Sequence, residues 1–162
     1  MRALLALALV LLAGCATTMQ AWNVAPGTSR DEVIARAGQP SRIVPLPDGG
    51  QRLQYSMMPH GHDVFMVDLD PSGRVVRSRN VMKPAEFHRI EPGTWTRADI
   101  EREFGRPAWV DGVSSHQGSV WTYRWKEGNE AMFYWVYFDP QGVVQRAHPG
   151  MEFRNAPDNN RS

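Results

Sequence analysis

The chain has 162 residues and a formal net charge of +1, with 18 Lys and Arg against 17 Asp and Glu. This balance excludes the basic excess of a nucleic-acid-binding protein, and 42% hydrophobic residues is typical of a globular fold. The longest apolar stretch, residues 3–13, is too short for a membrane-spanning helix. A single cysteine allows no disulfide within the chain and no cysteine-based zinc site.

The first 15 residues resemble the secretion signal of a bacterial lipoprotein. A positive charge precedes the apolar run, and residues 12–15, Leu-Ala-Gly-Cys, match the lipobox at which a cysteine thiol is acylated and becomes the new N-terminus. We expect residues 1–15 to be the signal peptide, Cys15 to carry the lipid and residues 16–21 to form a tether. An ordinary cleaved signal with a chance cysteine is the alternative. By resemblance to proteobacterial lipoproteins, Ala16 favours the outer membrane.

The remainder of the chain contains an internal repeat. Val-Ala-Pro-Gly-Thr at residues 24–28 returns as Ile-Glu-Pro-Gly-Thr at 90–94, and Asp-Pro-Ser-Gly at 70–73 returns as Asp-Pro-Gln-Gly at 139–142. Because the matching blocks keep their order and their offset grows slowly along the chain, single-residue insertions explain the drift. The sequence therefore predicts three further segments: module one at 22–88, module two at 89–155 and a flexible tail at 156–162.

Each module has the pattern of a short helix followed by β-strands. Ser29 and Thr96 are good helix N-caps, each followed by acidic residues and a spaced apolar face, and a glycine and a proline then end the helix. Alternating apolar runs separated by turn sequences follow. The predicted strands are 41–46, 51–58, 63–70 and 73–80 in module one, and 108–113, 119–126, 130–139 and 142–148 in module two. The fold class is therefore predicted as α+β, with two tandem copies of a short helix followed by a four-stranded antiparallel meander.

This order of motifs resembles a known family. The SmpA/OmlA (BamE-like) outer-membrane lipoproteins have a similar order: Pro-Gly-Thr, a capped short helix, Gly-x-Pro, a strand ending in tyrosine and an apolar strand leading into Asp-Pro-x-Gly. The resemblance covers each module once. It implies two such domains behind one lipid anchor. A tandem of this fold is also the architecture of the β-lactamase-inhibitory proteins.

Candidate chemistry is sparse in the sequence. The cluster at residues 60–63, His-Gly-His-Asp, has two imidazoles that could share a metal, but the equivalent loop of module two has no histidine, so a polar hairpin tip is the simpler interpretation. Asp70 and Asp139 open turns, where a carboxylate caps backbone amides. No local catalytic motif occurs. We expect no enzymatic activity, no cofactor and no metal.

The distribution of aromatic residues is the most informative functional signal. Twelve of the 16 aromatic residues lie from position 89 onward, and eight fall between Trp121 and Phe138. In the predicted strand 130–139, Tyr134, Val136 and Phe138 should face the helix, so the alternate residues Phe133, Trp135 and Tyr137 form a second apolar face. Either module one or another protein could cover that face.

The partner hypothesis gives these residues a role. Trp135, Tyr137 and Phe133 would anchor a partner protein and Arg124, on the neighbouring strand, would contribute a polar rim; the face of Trp109 cannot be assigned. The sequence thus predicts a lipid-anchored, periplasm-facing protein-interaction module in outer-membrane assembly or maintenance. Its partners would be the outer-membrane lipid leaflet, through Cys15, and an envelope protein such as a component of the β-barrel assembly machinery. The alternatives are an inhibitor or sequestering protein of a periplasmic or secreted enzyme, and an envelope enzyme or peptidoglycan-binding module.

Overall fold

A computed structural model describes residues 24–113 and 116–152. The predicted signal peptide, Cys15, the tether and the tail at 156–162 lie outside these residues. In chain order the elements are α1 (Arg30–Ala37), β1 (Arg42–Pro45), β2 (Gln51–Ser56), β3 (Val64–Leu69), β4 (Val75–Asn80), α2 (Pro84–Phe87), α3 (Arg97–Phe104), β5 (Trp109–Val113), β6 (His116–Glu127), β7 (Glu130–Phe138) and β8 (Val144–Met151).

The strands form two four-stranded sheets. Sheet 1 has the order β1-β2-β3-β4 and sheet 2 the order β5-β6-β7-β8, so every pair of hydrogen-bonded neighbours is also consecutive in the chain. The registers described for β1–β2 and for all three pairs of sheet 2 are antiparallel. The α+β class with two four-stranded antiparallel sheets is thereby confirmed. The described helices include none that is long and apolar enough to span a membrane.

The two longer helices begin and end as their sequences predict. The Ser29 side chain accepts a hydrogen bond from the backbone N–H of Glu32, and Thr96 forms a reciprocal capping box with Asp99. Gly38 and Gly105 end these helices with φ of 79° and 78°, a backbone conformation that a β-carbon disfavours. The short helix α2 begins with Pro84 and was not predicted from the sequence.

One face of sheet 1 carries α1. Val33 of the helix is completely buried in a cluster with residues from β2, β3 and β4, namely Leu53, Val67, Leu69 and Val75, together with Val24. These strand residues alternate along the chain as the sequence pattern requires. The face of each sheet that packs on a helix is here called the helix face, and the opposite face is called the far face.

The helix face of sheet 2 has an aromatic core. Phe104 of α3 contacts Tyr123 of β6 at a ring-centroid distance of 6.2 Å. Phe87 of α2 stacks on Tyr134 at 4.0 Å and meets the edge of Trp125 at 5.5 Å. Because Phe87 is buried in this core, α2 packs with sheet 2 although it follows the strands of sheet 1.

The chain forms two compact units. Unit 1 contains the described residues through Tyr55 and Phe65–Arg79, and unit 2 contains Ser56–Val64 and the chain from Asn80 onward. The hairpin tip between β2 and β3 and the segment around α2 therefore belong to unit 2 by their contacts. The predicted modules, 22–88 and 89–155, were defined by repeated sequence blocks. The two units are defined by spatial contacts, so their boundaries do not test the module boundaries.

The two units share a set of local hydrogen bonds. In each unit, an isolated antiparallel bridge joins the helix N-cap to the start of the last strand, Ser29 to Arg74 and Thr96 to Val143. In each unit, a tyrosine hydroxyl on the second strand donates to the carbonyl oxygen of the glycine that ends the helix. These bonds run from Tyr55 to Gly38 at 3.1 Å and from Tyr123 to Gly105 at 2.8 Å.

Candidate partner-binding surface

An irregularity in β8 sets which residues lie on the far face of sheet 2. Phe138 pairs with Val144, but Tyr137 pairs with Arg146, so one extra residue of β8 stands between these two pairs. Val144 is buried, whereas Arg146 lies opposite Tyr137 on the far face. The extra residue thus reverses the alternation of β8 and places His148 opposite Trp135.

Five rings on the far face form one continuous row. Trp109 of β5 meets Phe133 at 5.7 Å, Phe133 meets Trp135 at 5.8 Å, Trp135 lies 5.3 Å from His148, and His148 stacks on Tyr137 at 5.4 Å between ring centroids. We call these five residues the aromatic face. The row crosses three strands, β5, β7 and β8, and passes over the small buried side chain of Thr122 on β6.

Two further residues position the row. A β-carbon on Gly150 would lie 2.2 Å from the ring of Trp135, so the absence of a side chain at this position gives the indole its place on β8. The guanidinium of Arg146 lies 3.9 Å from the ring centroid of Tyr137, a distance at which cation–π attraction operates. Both residues contact rings of the row, and neither was identified from the sequence.

The aromatic face is partly open to solvent. Trp109 is 40% exposed, and the other four members are intermediate between buried and exposed. Such rings combine a large apolar area with polar ends and few rotatable bonds, which is the composition of interface anchors. The structure therefore brings Phe133, Trp135 and Tyr137 together, as the sequence predicted, and adds Trp109 and His148.

Arg124 occupies a different environment from the one expected. Its side chain is only 14% exposed and forms an ion pair with Glu152 at 2.5 Å. It also donates to the carbonyl oxygens of Pro59 and His60, at 3.0 and 2.8 Å, in the hairpin tip that belongs to unit 2. Because its donors are satisfied inside the unit, Arg124 joins this tip to sheet 2.

Glu152 is the centre of this cluster. Its carboxylate also lies 3.2 Å from Nε2 of His62, whose ring is largely buried. Burial acts to raise the pKa of Glu152, but the hydrogen bonds from Arg124 and His62 and their charges outweigh it, so the pKa is lowered from its ordinary value of 4.5. Glu152 is thus held as a carboxylate.

The remaining candidate residues have structural partners. Asp63 accepts a hydrogen bond from the Asn80 side chain at 2.6 Å, so this neighbour of the two predicted imidazoles lies in a turn network. No group of three or more His, Cys, Asp or Glu side chains within 24–113 and 116–152 is placed to hold a metal ion. Asp70 and Asp139 accept hydrogen bonds from the backbone N–H groups of Arg74 and Val143, which confirms their predicted turn-capping role.

The sequence contained a partial signal for the missed residues. Offsets in the repeat place Arg146 and His148 at the positions of Arg77 and Arg79, but the pairing of β7 with β8, including the extra residue, is not visible in the sequence. Trp109 could not be assigned to a face because β5 has little alternation. Its far-face position follows from its pairing with Thr122.

Comparison with known proteins identifies no family. No protein-family model matches the chain, and no curated protein does. Solved structures with a weak likeness include a DUF4309 family protein (YjgB) from Bacillus subtilis subsp. subtilis str. 168, at 12% identity and a TM-score of 0.33, covering 86% of this chain and 84% of that one. Another is an extracellular protein containing an SCP domain from Bacillus anthracis str. Ames, at 12% identity and a TM-score of 0.31, covering 90% of this chain and 53% of that one. This chain thus spans about half the length of the second protein, and TM-scores of this size establish no common fold.

Proposed function

We propose that this chain is a lipid-anchored protein-interaction module that faces the periplasm and acts in outer-membrane assembly or maintenance without catalysing a reaction. The observation that carries the proposal is the aromatic face of sheet 2. Five adjoining rings, four of them from Trp, Tyr or Phe, remain partly exposed on one face of the sheet. An aromatic patch of this kind on a globular domain typically marks a site of protein contact.

The proposal includes a tandem duplication. In this proposal the two units are copies of one module, a helix followed by a meander. Three observations support it: the repeated sequence blocks, the matching strand order and the hydrogen bonds of Tyr55 and Tyr123 to the helix ends. In this interpretation, the aromatic face is a property that one copy acquired on a shared backbone. The copy in sheet 1 serves as an internal reference for the other.

The proposed location rests on the sequence. Residues 1–15 and Cys15 lie outside the described part of the chain, and their resemblance to a lipoprotein signal supports an anchor in the outer membrane. The partner in this proposal is an envelope protein, such as a component of the β-barrel assembly machinery, because the motif order resembles the SmpA/OmlA family. Trp135, Tyr137 and Phe133 are its anchors. Arg124 supports the surface from within unit 2.

The second candidate function is inhibition or sequestration of one periplasmic or secreted enzyme, as in the β-lactamase-inhibitory proteins. The same aromatic face favours it, since large rings on a sheet are suited to fill the cleft of an enzyme. The two functions differ in the number and location of the proteins bound. An inhibitor would form one stoichiometric soluble complex, whereas an assembly module would bind membrane-embedded components.

Affinity capture from solubilised envelope tests both functions. The lipidated chain is compared with Trp135→Ala/Tyr137→Ala and with Trp109→Ala, which removes the most exposed ring at the least structural cost. Val76→Ala is the matched control, because Val76 is an exposed apolar residue of sheet 1 with 59% exposure. Thermal melts of all four proteins separate loss of binding from loss of folding.

We expect the control to retain the captured proteins and both aromatic variants to lose them, with Trp109→Ala keeping the wild-type melting temperature. Capture of an unchanged set of proteins by Trp109→Ala and by the double variant would contradict the proposal. Loss of a single soluble enzyme, with membrane components unaffected, would favour the inhibitor. Fractionation of a Cys15→Ala variant tests the anchor, since this variant should leave the membrane fraction or remain unprocessed.

A further inference from the structure

The edges of the two sheets differ in how they are protected. An edge strand exposes unpaired backbone N–H and C=O groups that can recruit another strand, and natural proteins cover or interrupt such edges. The first residues of β4 and β8 are covered by the segments that precede α1 and α3, through hydrogen bonds such as Gly27 N–H to Val75 O and Gly93 N–H to Val144 O. Proline interrupts β1 at Pro45 and β8 again at Pro149.

Strand β5 has neither form of protection. Trp109–Val113 contains no proline, lysine or arginine. It pairs with β6 on one side, in regular register from Trp109 to Asp111 and with an irregularity between Asp111 and Val113, and in the part of the chain that the structure describes no strand pairs with its other side. Because residues of a strand direct their backbone groups alternately to the two sides, β5 presents donors and acceptors along its outer edge.

The side chains of this edge define what could bind there. Val110 is 60% exposed and lies in a groove of about 310 Å³ that is lined by the apolar residues Pro107, Ala108 and Trp121 and by the ion pair of Arg106 with Glu101. On the opposite face of the strand, Asp111 is exposed and forms no ion pair with any described residue. The edge thus combines a backbone ladder, a mainly apolar groove and a carboxylate that no described residue pairs with.

We propose that β5 binds an extended segment of a partner polypeptide by strand addition, with an aliphatic side chain beside Val110 and a basic side chain beside Asp111. Only an extended polypeptide supplies N–H and C=O groups at the spacing of the ladder, and alternate side chains then reach the groove and the carboxylate. The ladder uses the backbone of β5, which shares one residue, Trp109, with the aromatic face.

A second copy of the chain fits the edge less well. Stable interfaces bury roughly 1,200 to 2,000 Å², far more than the ladder of a five-residue strand provides. Antiparallel pairing of two β5 strands would also bring a second Asp111 into the same short ladder, where no basic residue balances it. A short basic segment of another protein therefore matches the charge better.

The test uses three fluorescently labelled peptides, Thr-Val-Lys-Val-Thr-Val and its versions with Gln or Glu in place of Lys. Binding to the full chain in detergent micelles is measured by fluorescence anisotropy, and hydrogen exchange locates the protected amides. We expect the Lys peptide to bind about fivefold or more tightly than the Glu peptide, with protection at residues 109–113. A Lys peptide N-methylated at alternate amides should not bind, because it cannot complete the ladder.

Asp111→Lys should reverse the order of the peptides, and Asp31→Lys, an equal charge change on an exposed helix position, should preserve it. Absence of binding by all three peptides, binding that survives N-methylation, or protection away from β5 would each overturn the proposal. Sedimentation of the protein without peptide tests the alternative occupant, a second copy of the chain. A dimer that Val110→Lys dissociates would assign the edge to a second copy and would also overturn the proposal.

Discussion

The far faces of the two sheets belong to sheets of the same strand order and have opposite chemistry. In sheet 1, Asp68 is bound by Arg52 at 2.5 Å and by Arg77 and Arg79 at 3.1 Å. In sheet 2, the residue 69 positions after Asp68 is Tyr137, and its neighbours at the positions of Arg77 and Arg79 are Arg146 and His148. An ion cluster in one sheet is replaced by a cation–π contact and a stacked ring in the other.

The difference extends to burial. Asp68 and Arg52 are 6% and 3% exposed, and the residues beside them on the far face, Met66 and Gln54, are buried as well. At the corresponding places in sheet 2, Trp135 and Tyr137 are only partly buried, while Val120 and Thr122 are buried. A buried charge is stable only with its partners present, whereas a ring tolerates both partial exposure and contact with another protein. The comparison shows that two sheets with the same strand order have different far faces: a buried polar centre in one and a partly exposed aromatic face in the other.

Removing the centre of the ion cluster should have the largest effect. Asp68→Ala leaves the buried guanidinium groups of Arg52 and Arg79 without their carboxylate, and we expect a loss of about 3 to 5 kcal/mol in the free energy of unfolding. Urea denaturation monitored by circular dichroism measures it. Arg77→Ala is the control, because its side chain is 57% exposed and its ion pair should contribute about 1 kcal/mol or less. A loss for Asp68→Ala as small as the control would refute the account of the cluster.

Acid should weaken the same cluster by a smaller amount. Burial acts to raise the pKa of Asp68, but the hydrogen bond and charge of Arg52, with those of Arg77 and Arg79, lower it from the ordinary value of 3.8. Because the folded pKa lies below the unfolded one, this stabilisation is complete above pH 3.8 and is lost as the pH falls toward the folded pKa. Glu152 contributes in the same direction below pH 4.5.

Denaturation of the wild type and of Asp68→Asn between pH 6 and pH 3 measures the effect. The variant should lose less stability than the wild type over this range, since it has one fewer carboxylate to protonate. Parallel curves for the two proteins would show that Asp68 titrates alike in the folded and unfolded chains.

Transplanting the aromatic arrangement into sheet 1 tests the comparison directly. The variant Arg52→Val/Asp68→Tyr/Arg79→His reproduces Val120, Tyr137 and His148 around the retained Arg77. We expect a loss of about 1 to 3 kcal/mol from imperfect packing, less than for Asp68→Ala, because no buried charge is left unpaired. Thermal and urea denaturation compare the two variants. A triple variant less stable than Asp68→Ala would mean that the far faces are not interchangeable.

The conserved geometry of the tyrosine hydroxyls provides the smallest test. Tyr123 is 1% exposed, so Tyr123→Phe leaves the Gly105 carbonyl without its donor and should cost about 1 to 2 kcal/mol. Tyr55 is half-buried and its bond is longer, so Tyr55→Phe should cost about 1 kcal/mol or less. Urea denaturation of both variants checks the order, and the reverse order would contradict a tighter helix attachment in unit 2.

Much of the fold was predictable because local chemistry determines it. Every predicted strand has an observed counterpart, although β6 extends from residue 116 rather than 119 and β8 reaches residue 151. The N-caps of Ser29 and Thr96 and the turns opened by Asp70 and Asp139 are where the sequence placed them. These features depend on a side chain and its own neighbours within about four residues, so a single sequence contains them.

The candidate site was only partly predictable. Alternation placed Phe133, Trp135 and Tyr137 on one face because the period of a strand is two. Alternation could not reveal that Arg124 is bound to Glu152 and to the carbonyl oxygens of Pro59 and His60, since those partners lie 28 to 65 residues away. It could not reveal Trp109 or His148 either, because both join the row only through cross-strand pairing.

The sequence by itself determined the α+β class, the helix ends, the turns and the two faces of strands with clear alternation, such as β7, because caps, glycines and alternation act locally. Only the tertiary structure decided that Phe87 packs on the helix face of sheet 2, that Gly150 leaves space for the ring of Trp135 and that Asp68 forms ion pairs with three arginines. These outcomes depend on contacts between residues that are far apart in the sequence. Burial and ion pairing contribute to stability only once those contacts have formed.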